Sequence, residues 1–342
     1  MLSRKLLRVT AVASLLLLLA QPTFTQDDIS FFDYICKYNQ VEVTIEASLK
    51  GILKKKDKYL PAHLIFRSDS VVLLDTLAEI RSRGNIRKVV CYMPPTKIRL
   101  DKGYLRSQGW LDYPTLKIVN SCSYSDVAES YVNVEHLIYQ IYNLLTNKSF
   151  RTKSVTLTYR DSDGKKKPRT FDGFLIEHED QLAHRVNGEL ISQDYFRPEL
   201  LDRKSYLVFS MFQYLIGNTD WKVRNKHNLE IIKVLQEKSV YPVPYDFDYA
   251  GLINTTYAVP HERLPIKSVK ERLYLGPCQT AEEVEDCRKL FISNKNAIYQ
   301  LIEGAGLDEK QERSIRYYVD KFYEEIEDQR VAEMTFTNCV DY

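Results

Sequence analysis

The sequence has almost no excess charge of either sign. Its 342 residues include 48 Lys and Arg against 46 Asp and Glu, a formal net charge of +2. The first 25 residues contain three of the basic residues and no acidic one, so the remainder is near neutral. Nucleic-acid-binding proteins usually carry a pronounced positive charge or a basic patch. The charge balance therefore predicts no nucleic acid partner.

The sequence also lacks the cysteine and histidine spacings that are typical of zinc sites, including C-x-x-C. Its six cysteines are Cys36, Cys91, Cys122, Cys278, Cys287 and Cys339. An even number in an exported chain favours disulfides, although six cysteines allow fifteen pairings. Cys278 and Cys287 are close enough in sequence to bridge a short loop. Free thiols are the alternative in a compartment that does not oxidise them.

Long apolar runs are absent after the N-terminus, so no membrane span is expected in the rest of the chain. Residues 1–25 are typical of a secretory signal peptide, with basic residues ahead of the apolar run Ala11 to Ala20. That run is too short to cross a bilayer. A membrane anchor is the alternative interpretation. We therefore expect a secreted or periplasmic protein, and the sequence leaves its oligomeric state open.

Hydrophobic periodicity divides the chain into a β-rich half and a helical half. Residues 41–49 alternate apolar and polar side chains, as a half-buried strand does, and the first hundred residues predict an antiparallel β region. Residues 130–145 carry the apolar stripe of a long helix. The pattern predicts an α+β, two-lobed protein, with a β-rich N-terminal lobe at residues 26–178 and a helical C-terminal lobe at 179–342. Clefts between lobes are common sites for nucleotides.

Two polar clusters flank a predicted hairpin in the second half. An apolar helix at residues 205–216 leads into the first cluster, and the hairpin at residues 228–243 leads into the second. The clusters contain Asn218, Asp220, Asn228, Asp246 and Asp248. Phosphoryl transfer needs an Asp near the acceptor hydroxyl, and Asn and Asp oxygens that hold magnesium against the phosphates. The order and spacing of these residues therefore indicate a kinase-like site.

A basic loop and a charged helix residue supplement these clusters. Arg83-Gly84-Asn85 precedes a strand that carries Lys97, and such a loop can hold phosphates through backbone N–H groups and positive charge. Glu135 lies beside the apolar stripe of the long helix. A solvated surface Glu is the simple interpretation, and an ion pair with a phosphate-binding Lys is the functional one.

Together these segments resemble the CotH family, the atypical secreted kinases named for a spore-coat protein. The resemblance covers roughly residues 40–300. It is carried by Arg83-Gly84-Asn85, the Pro-x-Lys strand at Lys97, Gly173-Phe174-Leu175-Ile176-Glu177, Asn218-x-Asp220 with Asn228, and Pro244-Tyr245-Asp246-Phe247-Asp248. Tyr245 stands where the family has Trp, and Ile86-Arg87-Lys88 follows the basic loop where the family often has Ser.

The resemblance implies a protein-kinase-like fold that binds ATP with Mg²⁺ or Mn²⁺ and phosphorylates Ser or Thr of an exported protein. It implies that Asp220 is the catalytic Asp. It also implies that Asn228 and Asp246 hold the metal, with Asp248 in support.

The same resemblance implies roles for the other charged residues. Lys97 contacts phosphate and pairs with Glu135, although its offset position makes Lys117 a rival. Arg83 lies near the phosphates, and Glu177 lies at the hinge beside the base.

Two alternatives to a kinase follow from the same residues. The first is a kinase-like binding or scaffold protein of the cell surface without turnover, favoured by the changed basic loop and the scarcity of extracellular ATP. The second is a hydrolase that uses Asp246 and Asp248, for which no general-acid partner is evident.

Overall fold

A computed structural model describes residues 29–55, 57–123 and 125–337. The predicted signal peptide, residues 1–25, lies outside the described residues, as does Cys339. The described part is a mixed α+β structure, as the sequence indicated. Within it, no helix has the length and apolar character needed to span a bilayer.

The N-terminal half forms a closed barrel of seven strands in the order β1-β2-β3-β4-β5-β7-β6. The strands are β1 (Glu42–Ala47), β2 (Leu60–Ser68), β3 (Val71–Ser82), β4 (Thr96–Arg99), β5 (Thr115–Asn120), β6 (Thr152–Asp161) and β7 (Arg169–Ile176). Neighbouring strands are antiparallel except β1 and β6, which run parallel, with Thr44 opposite Thr158. Their alternating apolar residues fill the interior, where Ile45, Leu64 and Leu157 are fully buried.

Helices surround and extend the barrel. They are α1 (Phe31–Cys36), α2 (Leu49–Lys54), α3 (Arg87–Val90), α4 (Lys102–Ser107), α5 (Asp126–Leu145), α6 (Glu179–Arg185), α7 (Arg203–Ile216), α8 (Ala281–Ser293), α9 (Lys295–Glu303), α10 (Glu309–Glu327) and α11 (Gln329–Thr337), with a 3₁₀ turn at Pro198–Leu200. A second sheet contains β8 (Gly188–Leu190), β9 (Leu229–Val234) and β10 (Ser239–Pro244) in the order β10-β9-β8.

The long helix α5 joins the barrel to the helical part. Its Tyr139 ring lies 5.6 Å from Phe174 of β7 and 4.8 Å from Phe247, which follows β10. Its Tyr142 ring lies 4.5 Å from Phe212 of α7. The helical core therefore continues onto the barrel wall. The structure shows a closed barrel packed against helices and not a clear two-lobed arrangement, and the boundary at residues 178/179 stays a prediction.

The cysteines only partly follow the sequence expectation. Cys91 and Cys122 form a disulfide, which is compatible with an extracellular location. The suggested Cys278–Cys287 bridge is wrong, because Cys287 is a free thiol buried on α8, whereas Cys278 is disulfide-bonded. Helix α8 places Cys287 in the apolar core beside residues such as Val284 and Phe291.

Candidate functional site

The first polar cluster is held by the end of helix α7. Gly217 ends that helix in the left-handed conformation at φ 64°, and a Cβ there would lie 2.0 Å from the Tyr318 hydroxyl. The side chain of buried Asn218 donates to Gln213 Oε1 at 3.0 Å and accepts the backbone N–H of Asp220 at 3.0 Å. The buried Asn218 side chain, whose oxygen and nitrogen are both hydrogen-bonded, therefore fixes the backbone of Asp220.

The Asp220 carboxylate has two side-chain partners. Asn228 Nδ2 lies 2.8 Å from Asp220 Oδ2, and His227 Nε2 lies 2.9 Å from Asp220 Oδ1. A backbone bridge between Lys222 and His227 closes the loop that brings these residues together. Asp220 and Asn228, eight residues apart in sequence, are therefore in direct contact.

The β9–β10 hairpin places the second polar cluster next to the first. Pro244 at the end of β10 pairs with Leu229 at the start of β9, and the Tyr245 N–H donates to the Asn228 carbonyl at 3.0 Å. Asp246 follows at once, in the left-handed region at φ 62°, and its N–H donates to the Tyr139 hydroxyl at 3.0 Å. The two acidic loops thus meet at one end of one hairpin.

A buried ion network lies behind Asp246. Arg87 Nη2 lies 2.5 Å from Glu135 Oε2, and Arg87 Nε lies 3.0 Å from Asp248 Oδ2. The Tyr257 hydroxyl donates to Asp248 Oδ2 at 3.0 Å and accepts from Arg87 Nε at 2.9 Å. Glu135 is completely buried, and its Oε1 has no hydrogen-bond partner among the described residues.

Burial dominates the electrostatics of this network. It raises the pKa of Glu135 from 4.5 to about 7, even though Arg87 acts in the opposite direction. Burial also raises the pKa of Asp248; Arg87 opposes that shift, and the charges of Asp246 and Asp220 add to it. The carboxylates of both acidic loops are therefore close enough to act on one another.

This network corrects the predicted Lys97–Glu135 ion pair. Glu135 pairs with Arg87, which comes from the short helix α3 after the basic loop. Lys97 lies 3.7 Å from Glu179 instead. Sequence reasoning missed Arg87, Tyr139 and Tyr257 as members of the site. The one available signal was the Ile86-Arg87-Lys88 segment, which departs from the CotH pattern.

Three cations form the side of the site that faces the barrel. Lys97 on β4 and Lys117 on β5 are opposite one another in register, and Lys117 Nζ lies 3.3 Å from Glu179 Oε2. Burial lowers the pKa of Lys117, and Arg83 and Lys97 lower it further, whereas Glu179 opposes the shift. The Arg83 guanidinium has no ion-pair or hydrogen-bond partner in the described part of the chain.

Lys117 lies against the segment that carries Asp246. Its Nζ lies 5.0 Å from the centre of the ring of Tyr245, the residue that precedes Asp246. Burial by itself would raise the pKa of Glu179, but the nearby Lys117 and Lys97 ammonium groups lower it to about 2. Of the two rival lysines, Lys117 thus has the closer relation to the proposed metal ligands.

Glu177, which directly follows β7, is held by two arginines. Its buried carboxylate accepts from Arg151 Nη2 at 2.6 Å and from Arg185 Nε at 3.0 Å, and its backbone N–H donates to the Arg151 carbonyl. These bonds engage both the carboxylate and the N–H, so the Glu177 side chain stabilises the junction of β6, β7 and α6. Its predicted role beside a nucleotide base stays a prediction.

The donor set suits a metal only in part. Carboxylate and amide oxygens are the ligands that Mg²⁺ prefers, and Mg²⁺ usually takes one or two carboxylates plus phosphates. The Asp246 carboxylate has no ion-pair or hydrogen-bond partner in residues 29–55, 57–123 and 125–337. Within these ranges, however, no three His, Cys, Asp or Glu side chains are grouped to hold an ion. The residues fit a metal whose remaining ligands come from phosphate.

The disulfide connects α3 to the strand that carries Lys117. Cys91 follows α3, Cys122 follows β5, and the bridge spans 31 residues. We expect the Cys91→Ser, Cys122→Ser double variant to lose about 2–4 kcal/mol of unfolding free energy, because its unfolded chain is less constrained. Urea denaturation measures this loss. The matched control is Cys36→Ser, which removes a free exposed thiol. Equal stability of both variants would contradict the expectation.

No family model matches the chain, and no curated protein matches it. Among solved structures, the chain is similar to one titled "Crystal structure of A Helicobacter pylori proinflammatory kinase CtkA", with a TM-score of 0.35 and 10% identity. That match covers 64% of this chain and 90% of the other. Because the identity and the TM-score are both low, this similarity carries no functional conclusion.

Proposed function

We propose that this protein is a metal-dependent phosphotransferase that transfers the γ-phosphate of ATP to Ser or Thr of an exported protein, as the resemblance to the CotH family implies. One observation carries the proposal. The Asp220–Asn228 pair and Asp246 meet at the end of the β9–β10 hairpin, with Lys117 beside them. An acceptor base, two oxygen ligands and a cation are the groups that phosphoryl transfer requires from a protein.

Each residue has a defined part in this proposal. The Asp220 carboxylate accepts or orients the proton of the acceptor hydroxyl, while Asn228 and His227 each contact one of its oxygens and hold it in place. Asn228 Oδ1 and the Asp246 carboxylate would hold Mg²⁺ or Mn²⁺, which when bound neutralises phosphate charge. Lys117, with Arg83 and Lys97 behind it, contacts the phosphates.

Arg87 and Glu135 have a positioning role in the proposal. Arg87 forms an ion pair with Asp248, and Glu135 holds Arg87 in place. Asp248 and Asp246 lie on either side of the buried Phe247 in sequence. The Asp246 backbone is held by Tyr139, one helical turn after Glu135 on α5. The same helix face thus positions both acidic residues of the second loop.

The ion pair between Arg87 and Asp248 favours a second candidate function. The Arg87 guanidinium compensates the charge of Asp248, and this compensation weakens Asp248 as a metal ligand. A kinase-like protein that binds nucleotide or a partner without turnover fits this observation. The two candidates differ in phosphate transfer, which only the first performs.

A thermal-shift experiment tests the nucleotide and metal site. We expect ATP with Mg²⁺ or Mn²⁺ to stabilise the protein by about 2.7 kcal/mol at a ligand concentration 100 times Kd. Asp246→Asn should lose the metal-dependent part of this shift, because Asn tolerates the left-handed backbone but lacks the charge. The control is Asp172→Asn, at an exposed position of β7. No shift with nucleotide and metal would contradict the proposal.

A further inference from the structure

A pocket of about 830 Å³ opens beside Asp220. Its walls come from residues 198–206, 219–227, 261–264 and 275–277. Asp220 and His227 line it, whereas Asp246, Asp248 and Lys117 do not. The pocket therefore meets the proposed site at the acceptor carboxylate and not at the metal ligands or the phosphate-binding cations. In the proposed function, this is the position that an acceptor substrate would occupy.

Basic side chains outnumber acidic ones among the residues that line this pocket. Lys222 and Arg263 line it and are exposed, and neither side chain has an ion-pair or hydrogen-bond partner among the described residues. Arg224 lies 4.0 Å from Glu199, and His261 adds a group that can become protonated.

The acidic residues of the pocket do not balance these cations. Apart from Asp220, the acidic lining residue is Glu199, which is shared between Arg224 and Arg197, the latter at 3.6 Å. Unpaired cations in a concave site attract negatively charged ligands and disfavour basic ones.

We propose that this pocket binds an acidic segment of the acceptor polypeptide, with Asp or Glu side chains flanking the Ser or Thr whose hydroxyl reaches Asp220. The inference rests on the proposed phosphotransferase function and adds the class of substrate. Lys222 and Arg263 contact the flanking carboxylates and determine specificity. A basic acceptor segment would place like charges against these two residues, which opposes binding.

Peptide binding without nucleotide tests the pocket independently of turnover. The probes are fluorescent Ser peptides whose flanking residues are Glu, Gln or Lys, and anisotropy measures Kd on the full chain. We expect the Glu peptide to bind at least about fivefold more tightly than the Gln peptide at low salt, from two exposed charge pairs. The difference should shrink as salt screens these pairs.

Charge reversal identifies the residues responsible. Lys222→Glu with Arg263→Glu should remove the preference for the Glu peptide and favour the Lys peptide, and Lys222→Gln with Arg263→Gln should give intermediate affinity. Both positions are exposed, so we expect normal folding by circular dichroism. Lys310→Glu, on the exposed start of α10, is the matched control and should bind all peptides as wild type does.

The outcomes separate this inference from the proposed function. In a transfer assay the reversed variant should raise KM for the Glu peptide and leave kcat unchanged, with the nucleotide shift intact. A wild-type protein that transfers phosphate but binds all three peptides equally overturns the inference alone. A protein that prefers the Glu peptide but transfers no phosphate overturns the proposed function and retains the acidic-segment site.

Discussion

Asp220→Asn should lower phosphate transfer by about 10²–10⁴-fold, the range that a positioned general base contributes. The substitution keeps the size of the side chain and one oxygen for Asn228, but removes the charge that accepts the hydroxyl proton. Because Asp220 does not bind the nucleotide in this proposal, the thermal shift with ATP and metal should remain. Transfer of radiolabelled phosphate to a Ser peptide, measured at saturating ATP, tests the prediction.

The control for this variant is Asp69→Asn. Asp69 lies in the exposed turn between β2 and β3, with φ 50°, a conformation that Asn tolerates as well as Asp. The Asp69→Asn variant should transfer phosphate at the wild-type rate. If Asp220→Asn retains full transfer, Asp220 is not the base. If it loses the nucleotide shift as well, the carboxylate positions the nucleotide site and the assigned role is wrong.

The local parts of the site were predictable from the sequence, because they depend on short-range patterns. Helix α7 follows its apolar periodicity and ends at Gly217, and the two β-type runs after it pair as a hairpin. These elements alone bring Asp220, Asn228 and Asp246 to one place. No long-range information was needed to expect that these three residues lie together.

The partners of Glu135 were not predictable in the same way. Helix α5 and the Arg87 segment are distant in sequence, and their relative position depends on barrel closure and on the Cys91–Cys122 bridge. Both Lys97 and Arg87 follow the same basic loop, and local patterns do not distinguish which one turns inward. Burial decided the outcome, because Arg87 is 7% exposed, donates to Glu135 and forms an ion pair with Asp248, and a guanidinium remains charged when it is buried in this way.

Barrel closure likewise depends on non-local pairing. The strand pattern of residues 41–49 gives β1 and its inward face, but nothing in its alternation indicates that β6 will pair with it in parallel. The parallel pair converts an open sheet into a closed barrel and removes its edges. It also places β6 and β7, with Phe174, against α5, so the same non-local contact determines where Glu135 and Tyr139 lie.

Arg87→Met should reduce the free energy of unfolding by about 3–5 kcal/mol at pH 8, because it leaves the carboxylates of Glu135 and Asp248 buried without a cation. Arg106→Met is the matched control. Arg106 pairs with Asp112 at 3.0 Å on the surface, with 62% of its side chain exposed, and its loss should cost less than about 1 kcal/mol. Urea denaturation measures both.

The loss of unfolding free energy in Arg87→Met should also depend on pH, and the pKa of Glu135 determines the direction of this dependence. Burial raises this pKa from 4.5 to about 7, and without Arg87 it rises further. When a carboxyl group has a higher pKa in the folded protein than in the unfolded chain, its protonation stabilises the fold. This stabilisation is complete at pH values below the pKa of the unfolded chain, and it is lost as the pH rises through the pKa of the folded protein. The Arg87→Met penalty should therefore be largest at pH 8 and shrink towards pH 4.5.

A second substitution separates charge from packing. Adding Glu135→Gln to Arg87→Met removes one buried charge and should restore part of the stability at pH 8, although Asp248 still lacks a cation. At pH 4.5 the added substitution should have little effect, because Glu135 is already protonated in the folded state. An Arg87→Met penalty that is unchanged between these pH values, and that Glu135→Gln does not relieve, would show that Arg87 stabilises the protein through packing and not through the buried ion pair.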